Sequence, residues 1–178
     1  VRDQITARGV DTPEGLARGS YYVATIHRPD NTDDPDRLRG IVAALASLDR
    51  TVVLLAHPRL RSLALQHGIA LDQGALRVSD PLPYPALISA VMGSAGVVTD
   101  SGGLQKEAFL LRIPATTIRP ETEWVETVNL GWNMLANDVD AIASAVTRSA
   151  AAPTDATPYG DGHAADRAVT ELLGRRGS

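Results

Sequence analysis

The chain has 178 residues, 44% of them hydrophobic and only 4% aromatic, with no cysteine and a net charge of −4 from 17 basic and 21 acidic side chains. That apolar content suffices for one core of Val, Leu, Ile and Ala, the material of buried parallel strands, and it excludes a disordered chain. The missing cysteine removes disulfides, zinc–thiolate centres and thiol catalysis, the absence of a basic block argues against a nucleic-acid partner, and no apolar run approaches the roughly 18 residues of a membrane span.

Residues 1–20 are polar, with a short periodic piece around Ile5 and a Gly-containing approach, and read as a lead-in to a domain over 21–178. Their start, VRDQITARG, lacks the apolar centre of a signal peptide, so a soluble cytoplasmic protein is expected. From Tyr21 the pattern becomes regular. YYVATIH reads as a strand, DPDRLRGIVAALASL as a helix with apolar residues at Leu38, Ile41, Val42, Leu45 and Leu48, and TVVLLAH as a second strand. A helix over Arg59 to His67, the strand ALRVS, a helix from Pro85 to Met92 and the strand AGVVT follow. Next come a helix after Gly103, the strand ATTIR, a helix from Glu123 to Asn129 and the apolar piece NML. Two helices, Val139 to Ser149 and Ala164 to Leu173, close the chain around the Pro/Gly-rich AAPTDATPYGDG. Strands alternating with helices predict a doubly wound, Rossmann-like α/β domain with a parallel sheet, in which ligands sit at the carboxyl ends of the strands.

The strand ends therefore carry the functional reading. HRPDN puts His27 and Arg28 after the first strand, either as donors to an anion or as a polar turn. After the second strand His57 has the same two readings, with Pro58 stopping the strand. His67 before Gly68 reads as a helix stop, and His163 as a solvated residue opening the last helix. After the fourth strand stands TDSGGLQKEA. Asp100 or Ser101 can cap the following helix, and Gly102 and Gly103 expose its free N–H groups, so the stretch reads as a capped turn or as a phosphate seat. It has neither GxxxxGK[ST] nor GxGxxG spacing. Glu107, one turn into that helix, suits hydroxyls and suggests a ribose. Arg119 ends the fifth strand; Glu121 and Glu123 after it can serve a sugar or complement a helix dipole. Together these residues describe a nucleoside-diphosphate pocket.

The motifs TIHRPDN, TDSGGLQKEA, RPETEWVETV and PYGDGHAADRAV, in this order from about Tyr21 to Leu173, resemble the non-hydrolysing UDP-N-acetylglucosamine 2-epimerases. The resemblance implies one half, the UDP-holding C-terminal half, of a glycosyltransferase-B arrangement, with the family's N-terminal domain absent from this chain. It implies an active-site role for His27 beside the leaving group, while Arg28 and Arg119 are expected to bind UDP from their places at the strand ends. It further implies diphosphate binding by Ser101, Gly102 and Gly103, ribose binding by Glu107, and uracil contacts by Leu82 and Leu87 in LPYPALI. His57, Glu123 and Trp124 are further candidates.

Two positions depart from the family pattern: Trp124 stands where many members have a UDP-contacting arginine, and Lys106 replaces the first Glu of Gln-Glu-Glu-Ala. The family reaction eliminates UDP to give a 2-acetamidoglucal and adds it back, interconverting UDP-GlcNAc and UDP-ManNAc. It uses no cofactor or metal and is carried out by a homodimeric full-length enzyme in polysaccharide biosynthesis. The carboxylates for C2 belong to the other domain, so residues 1–178 are expected to bind UDP weakly and not to epimerise. The alternatives are a hydrolysing 2-epimerase, a glycosyltransferase-B donor domain and a non-catalytic nucleotide-sugar module.

Overall fold

The structure is a computed structural model that describes residues 6, 9–148 and 151–174. Six parallel strands form one sheet: β1 Tyr21–Thr25, β2 Thr51–Leu55, β3 Leu76–Ser79, β4 Gly96–Thr99, β5 Ala115–Thr117 and β6 Asn133–Leu135, in the spatial order β3-β2-β1-β4-β5-β6. The helices are α1 Pro29–Thr32, α2 Pro35–Ala46, α3 Pro58–Gln66, α4 Tyr84–Gly93, α5 Gly102–Leu111, α6 Val125–Asn129, α7 Ile142–Val146 and α8 Ala164–Gly174. A six-stranded parallel sheet flanked by helices is the expected Rossmann-like α/β fold.

The central strands are apolar in both directions because both faces are covered. Along β1 and just beyond it, Tyr22, Ala24 and Ile26 join Val52, Leu54 and Val98 beneath Leu38, Ile41 and Leu45 of α2 and Ile142 of α7. The alternate residues Tyr21 and Val23 join Val53, Leu55 and Val97 beneath Ala90 and Val91 of α4 and Leu104 and Ala108 of α5. Period-two alternation with both sets buried turns a strand into a continuous hydrophobic run. α2 starts where Asp34 accepts from the N–H groups of Asp36 and Arg37, with Pro35 at the first helical position. Gly40 lets it lie close to the 3₁₀ turn Val139–Ala141, since a Cβ there would meet Val139 Cγ1 at 2.8 Å.

The expected elements stand with shifted ends, and three readings change. HRPDN contains a helical turn, α1, rather than a simple polar turn, and it buries Asn31 and Thr32. The helix expected from Val139 to Ser149 is a 3₁₀ turn followed by α7; its expected last residue lies outside the described residues. The helix expected from Glu123 begins at Val125. The periodic piece around Ile5 lies outside the described residues. No helix among the described residues is long and apolar enough to cross a membrane.

From the central pair β1 and β4 the sheet grows in opposite directions, through β2 and β3 on one side and β5 and β6 on the other. The carboxyl ends of β1 and β4 lie side by side: Thr25 pairs with Thr99, and their hydroxyls are 2.6 Å apart. This is the switch point, where the outgoing loops diverge and leave a crevice.

Candidate functional site

Asp100, the residue after β4, organises the crevice. Its side chain is fully buried. Oδ2 accepts from the backbone N–H of His27 at 3.0 Å and of Arg28 at 2.9 Å, and from Asn31 Nδ2 at 3.1 Å. Oδ1 lies 2.9 Å from His27 Nδ1. Burial alone would push the carboxyl pKa up, but the hydrogen bonds from His27, Arg28 and Asn31 hold it below its ordinary value. The same contact raises the His27 imidazole above its ordinary value, against an opposing pull from partial burial. With Nδ1 turned to the carboxylate, Nε2 is left for the crevice. Asn31, brought in by α1, closes the arrangement by donating also to the Ile118 carbonyl at 2.9 Å and accepting from Arg37 Nε at 2.9 Å.

This corrects the expectation for TDSGG. Neither Asp100 nor Ser101 caps α5 with its side chain: Asp100 turns inward to His27, and Ser101 at the N-cap makes no such bond, while its N–H donates to Thr99 Oγ1 at 2.9 Å. The N–H groups of Gly102 and Gly103 find no acceptor among the described residues. These unpaired N–H groups at the start of α5 are the kind an anion binds.

A cleft of about 370 Å³ opens beside that helix start. It brings together His27, His57, Leu82, Leu87, Ser101, Gly103 and Glu107, along with Thr25 and Tyr84. His57 caps α3, Nδ1 accepting from the Arg59 N–H at 3.3 Å. Glu107 is not a loose carboxylate, for Tyr84 Oη donates to it at 2.8 Å. That bond also raises the Tyr84 hydroxyl above its ordinary pKa.

The other expected residues lie on the β5 side. Arg28 and Arg119 line a second depression of about 310 Å³ with Arg37, Glu121 and Asn137. Arg119 Nη1 pairs with Glu123 Oε2 at 2.9 Å, and the Arg119 side chain is 11% exposed. Gly102 divides the two sides: a Cβ on it would meet Glu123 Oε1 at 2.0 Å and Trp124 Nε1 at 3.6 Å. Trp124 packs edge-on to Tyr159, with centroids 5.5 Å apart, and Lys106 Nζ lies 4.7 Å from the Trp124 ring and 4.8 Å from the Tyr159 ring. The two positions that depart from the family pattern thus touch each other, a cation on an aromatic face.

Beneath this surface Gln105, fully buried, accepts from Thr122 Oγ1 at 2.6 Å and Asn133 Nδ2 at 3.1 Å. Thr122 in turn accepts from the Trp124 N–H at 3.1 Å. The loop holding Arg119, Glu123 and Trp124 is pinned to α5 from below. Sequence reasoning missed Asp100 as the partner of His27, and it missed Asn31 and Tyr84 altogether.

The family model for UDP-N-acetylglucosamine 2-epimerase matches residues 1–173. The chain is 39% identical over 176 residues to a UDP-2,3-diacetamido-2,3-dideoxy-D-glucuronate 2-epimerase of Pseudomonas aeruginosa, covering 95% of this chain and 49% of the relative. It is 30% identical over 171 residues to a UDP-N-acetylglucosamine 2-epimerase of Bacillus subtilis, covering 89% and 44%. Among solved structures it resembles the Methanocaldococcus jannaschii UDP-GlcNAc 2-epimerase in complex with UDP-GlcNAc and UDP, with a TM-score of 0.75 at 26% identity over 88% of this chain and 46% of that one. The chain spans about half the length of the curated relatives it matches.

Proposed function

This chain belongs to the UDP-N-acetylglucosamine 2-epimerase family, and on that premise we propose that it is the UDP-holding half of a nucleotide-sugar 2-epimerase. The observation that carries the reading is the switch point itself: His27, backed by buried Asp100, stands beside the unpaired N–H groups that start α5, with Glu107 one turn further along the same cleft. The N–H groups at Ser101 to Gly103 receive the diphosphate, Glu107 holds ribose hydroxyls, and Leu82 and Leu87 form an apolar wall for uracil. Arg28 and Arg119 approach the diphosphate from the β5 side.

In the proposed reaction the anomeric C–O bond breaks with its electron pair passing to the β-phosphate oxygen of UDP. A base takes the C2 proton, and a C1–C2 double bond forms; UDP then adds back after the proton returns on the opposite face. This half stabilises the charge that builds on departing UDP: the imidazolium of His27 donates through Nε2, held in that state by Asp100, and the helix N–H groups donate beside it. Truncating one such donor typically costs on the order of 10²-fold in turnover.

The base for C2 and the groups gripping the sugar belong to the half of the relatives' length that this chain does not span. In the proposed division residues 1–20 are the lead-in, 21–178 the UDP domain, and the complete enzyme a cytoplasmic homodimer. The 39% identical relative acts on a uronate, which favours testing a carboxylated sugar beside the neutral one. The test incubates purified residues 1–178 with UDP-GlcNAc and with UDP-2,3-diacetamido-glucuronate, and measures UDP binding by calorimetry. UDP binding without a 2-epimer product is expected; a 2-epimer product refutes the division of labour, and no UDP binding refutes the site.

A further inference from the structure

The bare Cα of Gly102 is not vacant: the Glu123 carboxylate lies against it, with Oε1 at 2.0 Å from where a Cβ would be. The carboxylate rests beside the first turn of α5 without bonding its free N–H groups, and its other oxygen is held by Arg119 at 2.9 Å. Trp124 Nε1 is buried next to it with no hydrogen-bond partner among the described residues. The Glu123 N–H and the Arg119 guanidinium hold the carboxyl below its ordinary pKa, and Arg28 acts in the same direction. A helix start, the Arg119 guanidinium and a buried indole N–H therefore border one carboxylate, and that carboxylate is supplied by the protein's own chain.

We infer that Glu123 is a built-in competitor for the phosphoryl group, whose carboxylate must leave Gly102 and release Arg119 before an anionic ligand can take the seat. The inference rests on the UDP reading of the site. The exchange is sterically simple. The backbone on either side of Glu123 is pinned through Thr122 to buried Gln105, while the Glu123 side chain is 48% exposed and rotates about three bonds. An ion pair whose carboxylate is half exposed binds weakly enough to be exchanged for a dianionic phosphoryl group. The seat thus keeps its cations compensated when empty, and it opposes tight retention of the leaving group.

The test compares UDP and uridine binding to the wild-type chain and to Glu123→Gln by calorimetry at low salt. UDP is expected to bind Glu123→Gln about fivefold more tightly, the scale of a surface ion pair, while uridine, with no phosphoryl group, binds both alike. Equal or weaker UDP binding by Glu123→Gln, in a chain whose wild type binds UDP, overturns the competitor role. So does an equal gain for uridine. Failure of both proteins to bind UDP overturns the nucleotide site itself, and the competitor with it.

Discussion

Replacing Asp100 by Asn tests the centre of the crevice most directly, because the amide keeps the shape of the carboxylate and removes only its charge. In the native protein the buried carboxylate takes bonds from the His27 and Arg28 N–H groups, from Asn31 Nδ2 and from the His27 ring. Hydrogen bonds to a charged group contribute about 1.5–3 kcal/mol, against about 0.5–1.5 kcal/mol for neutral ones. The amide has one acceptor oxygen, and its NH₂ turns towards donors. A loss of about 3 kcal/mol is expected, at the low end of a broken buried pair because His27 is half exposed.

The pH dependence has a definite sign. His27 is raised above its ordinary 6.5, so its share of the stability is complete below 6.5 and fades as pH rises through the folded value. Asp100 is lowered below its ordinary 3.8, so its share is complete above 3.8 and fades as pH falls through the folded value. The gap between wild type and Asp100→Asn should be widest between about pH 4 and 6.5, and smaller but not zero at pH 9, where the backbone and Asn31 bonds persist. Urea denaturation at pH 6 and pH 9 measures the gap, and an NMR titration follows the His27 ring. Equal midpoints at pH 6, or an imidazole that titrates at the same pH in both proteins, would refute the coupling.

Two further changes probe the ligand side. Gly102→Val should leave stability within about 1 kcal/mol, since this first helical position needs no left-handed backbone. It should weaken UDP binding at least tenfold, because the added carbons fill the anion seat and push on Glu123. Unchanged UDP affinity by calorimetry would return the motif to a plain turn. Tyr84→Phe removes the hydroxyl that steers Glu107, at a stability cost of about 1 kcal/mol or less, and should weaken UDP severalfold while leaving inorganic pyrophosphate unaffected. A parallel loss for pyrophosphate would show that Tyr84 acts on the fold rather than on the ribose carboxylate.

The sheet was legible because its signal is local: alternating buried runs such as YYVAT and TVVLL, and the 3.6-residue pattern from Leu38 to Leu45, can be read without knowing the neighbours. The cleft was half legible for the same reason, as strand ends hold ligands whatever the strand order. What escaped were contacts set by that order. Asp100 has the chemistry of a helix cap, and only the adjacency of β1 and β4 turns it towards His27, 73 residues away in sequence. α1 is too short for periodicity, and its burial of Asn31 depends on Asp100 and on the Ile118 carbonyl. Tyr84 stands in LPYPALI, a stretch read for its leucines, and its bond to Glu107 crosses from α4 to α5. The helix start moved from Glu123 to Val125 because Glu123 answers Arg119 and Gly102 instead of a helix dipole.

Lys106 is the only lysine in these 178 residues, and it is held between Trp124 and Tyr159 on the helix that begins at Gly102. One ε-amine means one side-chain address for amine-directed chemistry, and acylating it removes the charge that both rings face. Trp124 lies within the same contact, so its emission reports on the state of that single amine. A lysyl endopeptidase likewise has one bond to cut, inside α5, and protection of that bond measures how firmly the helix beneath the anion seat stays closed. The chain therefore carries a single lysine one helical turn from the glycine on which Glu123 rests.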